Sequence, residues 1–129
     1  MASAQEQVEQ FFAKLDGGIE SMLIDYGRET TLAEYSLYGA PETEEDLAAS
    51  KLFGREVSRA INSYLRAAKQ AGAAGAFEEM ILTVDDVHTF VCPTAADASV
   101  LLSGTLSAES SSLGMLRLQT REAAKTITV

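Results

Sequence analysis

His88 and Cys92 are the side chains of this 129-residue sequence with the intrinsic chemistry of a general base and a nucleophile, and they stand four positions apart. In a strand that spacing puts both on one face with Phe90 between them, about 13 Å apart along an extended backbone. A catalytic dyad needs contact at hydrogen-bond distance. The spacing therefore predicts a partly buried thiol and an edge histidine, and a hydrolase using Cys92 is the distant alternative. Asp85 and Asp86 are adjacent carboxylates at a strand end, which point apart and favour a turn over acid–base work. A glycine-rich phosphate loop needs its glycines between a strand and a following helix. Here AGAAGA (71–76) follows a helix and precedes a strand, so it reads as a connector. With one cysteine and one histidine the sequence has no internal disulfide and no cluster of soft metal ligands. No enzyme site, cofactor or metal is expected.

Charge narrows the partners. The net charge of −9 opposes a phosphate backbone, and no basic run interleaves with aromatics, so nucleic acid is disfavoured. No stretch reaches the ~18 apolar residues of a membrane span, and the polar start MASAQEQVEQ is unlike a signal peptide; the expected location is cytoplasmic. Half of the ten Lys and Arg nevertheless fall in one stripe: Lys51, Arg55, Arg59, Arg66 and Lys69. Dimerisation would place two such stripes on one surface, and an acidic protein partner is the expectation for that face.

The element that positions this stripe is a helix over Thr43 to Ala71. Thr43 supplies a cap hydroxyl with Asp46 three residues on, Glu44, Glu45 and Asp46 favour the positive end of the dipole, and Gly72 can close the other end. On a helical wheel Phe53, Val57, Ala60, Ile61, Tyr64, Leu65 and Ala68 cover an arc of roughly 160°, wider than the ~100° that seats a helix on one sheet face. A central stripe of Phe53, Val57, Ala60 and Tyr64 is expected on the sheet.

The rest reads as shorter elements: a helix over Ser3–Leu15, strands over Ile19–Tyr26 and Thr31–Tyr38, strands over Phe77–Val84, Val87–Cys92 and Ser99–Leu106, and a terminal helix capped by Ser110, Ser111 or Ser112. Tight turns make the strands antiparallel neighbours. Consecutive apolar residues such as Met22, Leu23 and Ile24 require cover on both faces. The expected fold is α+β: residues 1–129 as one domain, a five-stranded antiparallel sheet with the long helix on one face and the two terminal helices on the other.

This order of elements, αββαβββα, resembles the Roadblock/dynein light chain family, whose architecture is profilin-like. Leu113-Gly114-Met115-Leu116-Arg117-Leu118 is similar to the leucine-glycine and apolar-arginine sequence opening that family's last helix. EEMILTVDDVHTFVCP is similar to its middle meander, and LDGGIESMLIDYGRETTLAEYS to its opening hairpin. The turn Tyr26-Gly27-Arg28-Glu29 departs from the family's simpler aspartate-glycine. The resemblance implies a homodimer in which third strands pair edge to edge and long helices pack side by side, with Gly54, Ser58, Ile61, Leu65, Met80 and Leu82 at the interface. It further implies a non-enzymatic adaptor that binds a Ras-like small GTPase or scaffolds a signalling or motor complex. A small-molecule-sensing domain, with His88, Tyr35 and Tyr64 as its polar candidates, is the alternative.

Overall fold

The computed structural model describes residues 2–109 and 112–128. Its elements are α1 (Ala4–Lys14), β1 (Gly18–Asp25), β2 (Thr30–Ser36), α2 (Glu44–Gln70), β3 (Met80–Val84), β4 (Val87–Pro93), β5 (Val100–Ser107) and α3 (Leu113–Ala124). The strands form one antiparallel sheet in the order β2-β1-β5-β4-β3. The order of elements along the chain is the predicted one.

Local chemistry sets the helix ends. Ser3 Oγ accepts from the Glu6 N–H at 3.1 Å while the Glu6 carboxylate accepts from the Ser3 N–H at 3.3 Å, a reciprocal capping box. Thr43 Oγ1 accepts from the Asp46 N–H at 3.0 Å to open α2. At the far end Gly72 takes φ +93°, and the Ala73 N–H reaches back to the Ala68 carbonyl at 2.9 Å, a left-handed glycine stop. Ser112 opens α3 by accepting from the Met115 N–H at 3.1 Å; Ser110 and Ser111, the other predicted caps, lie outside the described residues.

Two strands are shorter than their apolar runs. β2 ends at Ser36 because Ser36 and Gly39 exchange backbone hydrogen bonds across a tight turn, with Gly39 at φ +89°, leaving Tyr38 almost fully exposed. β3 starts at Met80, not Phe77. Phe77 leaves the sheet to lie against Tyr26, with ring centroids 6.5 Å apart, and Glu79 is drawn to Arg117 and Arg121 of α3. The two guanidinium groups hold the Glu79 carboxyl down at about 2.

Strand alternation divides the core in two. On one face Leu23, Phe90, Cys92, Leu102 and Leu106 pack with Val8, Phe11 and Leu15 from α1 and its end, and with Leu116 and Ala124 of α3. On the other, Met22, Ile24, Val91 and Leu101 pack beneath Val57 and Ile61 of α2. The terminal helices thus share one face and α2 holds the other, as predicted. α2 does not cover its face evenly: it lies across β2 and β1. On the same face, Leu82 and Val84 of the edge strand β3 are 51% and 60% exposed.

Candidate functional site

α2 presents three surfaces. The first is fixed by a notch. A Cβ on Gly54 would stand 2.1 Å from Thr31 Oγ1 and 2.9 Å from the Thr31 amide nitrogen, so β2 lies against the helix where Gly54 has no side chain. Thr31 Oγ1 donates to the Ser50 carbonyl at 2.7 Å, and Ser58 Oγ donates to the Gly54 carbonyl at 2.6 Å. Ser50, Gly54, Val57, Ser58 and Ile61 are all buried.

That geometry corrects the sequence reading of this helix. Gly54, Ser58 and Ile61, expected against a twin helix, are covered by the chain's own sheet. Leu65 is half-buried on the same core, and Met80 packs beside it. Of the six predicted interface residues Leu82 alone keeps a large exposed area. Conversely, of the stripe expected on the sheet Val57 alone is buried: Ala60 is exposed, Phe53 is 36% exposed and Tyr64 75%. The helix is rotated by about one residue position, roughly 100° at most, from the orientation that hydropathy alone gives.

The second surface is therefore the flank of Phe53, Ala60 and Tyr64, on the side of α2 toward the rest of the sheet. Ala60 and Tyr64 border an apolar groove of about 620 Å³ closed on its other side by residues 73–80, including Phe77 and Met80. The third surface carries the basic stripe. Lys51, Arg55, Arg59, Arg66 and Lys69 are all exposed. They lie on the opposite flank, beside the β1–β2 turn, where Asn62 donates to the Tyr26 carbonyl at 3.1 Å. Arg59 stands 3.7 Å from Glu29 of that turn and 3.8 Å from Glu56, and Arg55 stands 3.5 Å from Glu56.

The candidate catalytic residues are not brought together. His88 Nδ1 lies 2.8 Å from Thr83 Oγ1 across the β3–β4 ladder. Cys92 is buried in the core on the α3 side, and burial pushes its thiol up to about 11, where thiolate is scarce at neutral pH. Asp85 takes φ +54° in the two-residue turn between β3 and β4, and Asp86 accepts from the Ala108 N–H through its carbonyl at 2.7 Å. Both have turn roles. Among the described residues no group of three or more His, Cys, Asp or Glu is placed to hold a metal ion. Among the described residues no helix is long and apolar enough to cross a membrane.

One feature was unforeseen. Glu20 of β1 and Glu34 of β2 face α2 along one wall of a hollow of about 310 Å³ that also takes in Asp46 and Phe53. Burial, then the neighbouring Glu34 carboxyl, raises Glu20 to about 7; burial likewise raises Glu34. The sequence signal was the two-residue alternation that puts Glu20 on the same face as Met22 and Ile24.

No family model matches the chain, and no curated protein sequence does. Solved structures do match. A Roadblock/LC7 domain from Streptomyces avermitilis superposes with a TM-score of 0.75 over 97% of this chain and 94% of its own, at 11% identity. The chain has a Roadblock-like fold. The gliding protein MglB from Thermus thermophilus shares the fold with a TM-score of 0.69 over 97% of this chain and 89% of its own, at 19% identity. MglC from Myxococcus xanthus aligns with a TM-score of 0.53 over 92% and 90%, at 18% identity. At these identities the Roadblock-like fold is what the chain shares with them. Its α+β layering and the order of its elements along the chain were legible in the sequence.

Proposed function

We propose that this protein is a homodimeric, non-enzymatic adaptor that regulates or tethers a Ras-like small GTPase. The observation that carries the reading is the half-used face of the sheet. α2 occupies β2 and β1, while Phe53 and Tyr64 on its inner flank, and Leu82 and Val84 on β3, remain exposed on that side. Singly exposed apolar residues are ordinary on a protein surface, but a run of them beside an uncovered sheet edge marks an interaction surface. A second α2 laid beside the first would cover the flank, and the free edge of β3 would meet its counterpart by strand pairing. The interface of this proposal is therefore Phe53, Ala60, Tyr64, Leu82 and Val84, in place of the buried Gly54, Ser58 and Ile61. The basic stripe lies on the opposite flank of α2 and stays open in such a dimer. Its five cations, set in an acidic protein, fit a partner with a negative face.

Light scattering at micromolar concentration is expected to give a dimer. Tyr64→Glu combined with Leu82→Glu is expected to weaken self-association by roughly thirtyfold or more, the scale of losing a central interface residue. Tagged dimer is expected to retain a small GTPase from its native extract with different yields after GTP and GDP loading, and Arg55→Glu with Arg59→Glu is expected to lower that yield. A monomeric wild-type chain would remove the dimer, and equal retention of no GTPase in either nucleotide state would remove the partner.

A further inference from the structure

The basic flank is not uniform. Arg55 and Arg59 have acids of the same chain nearby, Glu56 and Glu29, but none of those separations is shorter than 3.5 Å. They are ion pairs between half-exposed groups, worth little in water. Arg66 and Lys69 have no carboxylate within 4.0 Å among the described residues; Arg66 is held instead by a hydrogen bond to Ser63 Oγ at 3.3 Å. A cleft of about 510 Å³ joins these groups, with Arg59, Arg66 and Lys69 around it, the half-buried Leu65 at its base, and Glu29 facing them from the β1–β2 turn. Glu29 takes φ +55°, a conformation uncommon for a side chain other than glycine or asparagine. Its carboxylate stands toward Arg59 and lines the cleft.

We propose that this cleft seats an Asp/Glu-rich segment of the protein partner, and that Glu29 is a built-in competitor that makes the cleft select segments with several carboxylates. The proposal rests on the adaptor reading for the source of the segment. Guanidinium forks and an ammonium group around one opening are the chemistry that grips carboxylates. A segment with one carboxylate exchanges it for Glu29 at Arg59 and gains little. A segment with two or more makes that exchange and also pairs Arg66 and Lys69, which have no acid of their own among the described residues. The apolar base at Leu65 gives the methylenes of a glutamate side chain something to cover, which a free inorganic anion lacks. The net charge of −9 disfavours a polyanion such as RNA as the occupant, because repulsion from the remaining surface grows with the length of the polyanion.

The test is fluorescence anisotropy of the 129-residue chain with a short labelled peptide of alternating Glu and Ala, its Gln-for-Glu twin, and a version with a single Glu. Tight binding of the first and weak binding of the other two is expected. Glu29→Gln is expected to bind the multi-carboxylate peptide roughly threefold to fivefold tighter, the scale of one exposed ion pair, and to narrow the preference over the single-Glu peptide. Arg66→Gln with Lys69→Gln is expected to weaken binding by roughly tenfold. Two single-charge controls on α3 and its end, Glu122→Gln and Lys125→Gln, pair with each other at 3.0 Å and lie on the other side of the sheet. They should leave affinity within about twofold if the cleft is the site. Equal effects of Glu29→Gln and Glu122→Gln, or full binding by the Arg66/Lys69 variant, would overturn the cleft in favour of net charge. Displacement of the peptide by inorganic phosphate at low millimolar concentration would overturn the acidic segment in favour of a free anion. The titration contains no GTPase: selective peptide binding by a protein that retains no GTPase removes the adaptor reading alone, and GTPase retention with unselective peptide binding removes the cleft alone.

Discussion

Gly54→Ala is expected to lower the unfolding free energy by about 2 to 3 kcal/mol, although alanine is the better helix former by about 1 kcal/mol. The added methyl has nowhere to go. Its position would be 2.1 Å from Thr31 Oγ1 and 2.9 Å from the Thr31 amide nitrogen, so both a side chain and the backbone of β2 must retreat. Retreat breaks the hydrogen bond from Thr31 to the Ser50 carbonyl and parts α2 from the strand that anchors it. Gly75→Ala is the control, because nothing lies within 4 Å of its would-be Cβ, and it is expected to be neutral or slightly stabilising. Urea unfolding followed by circular dichroism measures both. Thr31→Ala removes the nearer obstacle, so the double variant Gly54→Ala/Thr31→Ala should be more stable than the sum of its single changes. A Gly54→Ala protein within about 0.5 kcal/mol of the wild type, the range of an ordinary surface substitution, would show that α2 can shift on the sheet, and would reopen Gly54 and Ser58 to a partner.

The same notch explains where sequence reasoning about α2 went astray. A hydropathy wheel weighs apolar side chains, and on that measure Phe53, Ala60 and Tyr64 pull the centre of the face toward themselves. Glycine and serine carry almost no weight on the wheel, yet they allow the shortest approach of helix to strand and so fix the rotation. The helix bounds, its caps and its outward cations followed from local chemistry and were readable. So was the layering, since the consecutive apolar triplet in β1 must be covered on both faces. What depended on a partner strand was not readable. Thr31 gives no local sign that it will fill a gap left by Gly54, and Phe77 gives none that Tyr26 will draw it out of the β3 run. The candidate site divides the same way: the cations were visible by spacing, whereas Glu29 enters their cleft through a left-handed turn residue that periodicity does not reveal.

The inward carboxyls of β1 and β2 make stability fall as pH rises toward neutrality. Glu20 titrates near 4.5 in the unfolded chain and about 7 in the folded one, first because it is buried and then because Glu34 is beside it. Across that window the folded state binds more protons than the unfolded state, so each step up in pH favours unfolding, and the full penalty is present above about 7. Of the groups facing this pair, Ser50 eases Glu34 through a hydrogen bond and Asp46 on α2 adds a like charge beside it, and neither relieves Glu20. Allowing for the part of the side chain that water still reaches, the penalty is on the order of 2 kcal/mol. Glu79 works in the opposite direction at lower pH. Arg117 and Arg121 hold its folded-state carboxyl at about 2, so its contribution is present above 4.5 and is lost as pH falls through 2. Between them the two groups place their combined optimum near 4.5. Glu20→Gln removes the charge while keeping the shape, and is expected to gain about 2 kcal/mol at about pH 8, nothing below about pH 4.5, and a flatter profile between. Denaturant unfolding at closely spaced pH values reads all three. A variant no more stable than the wild type at about pH 8 would mean that the carboxylate ionises on folding without cost, by rotating out of the hollow beneath α2 into water.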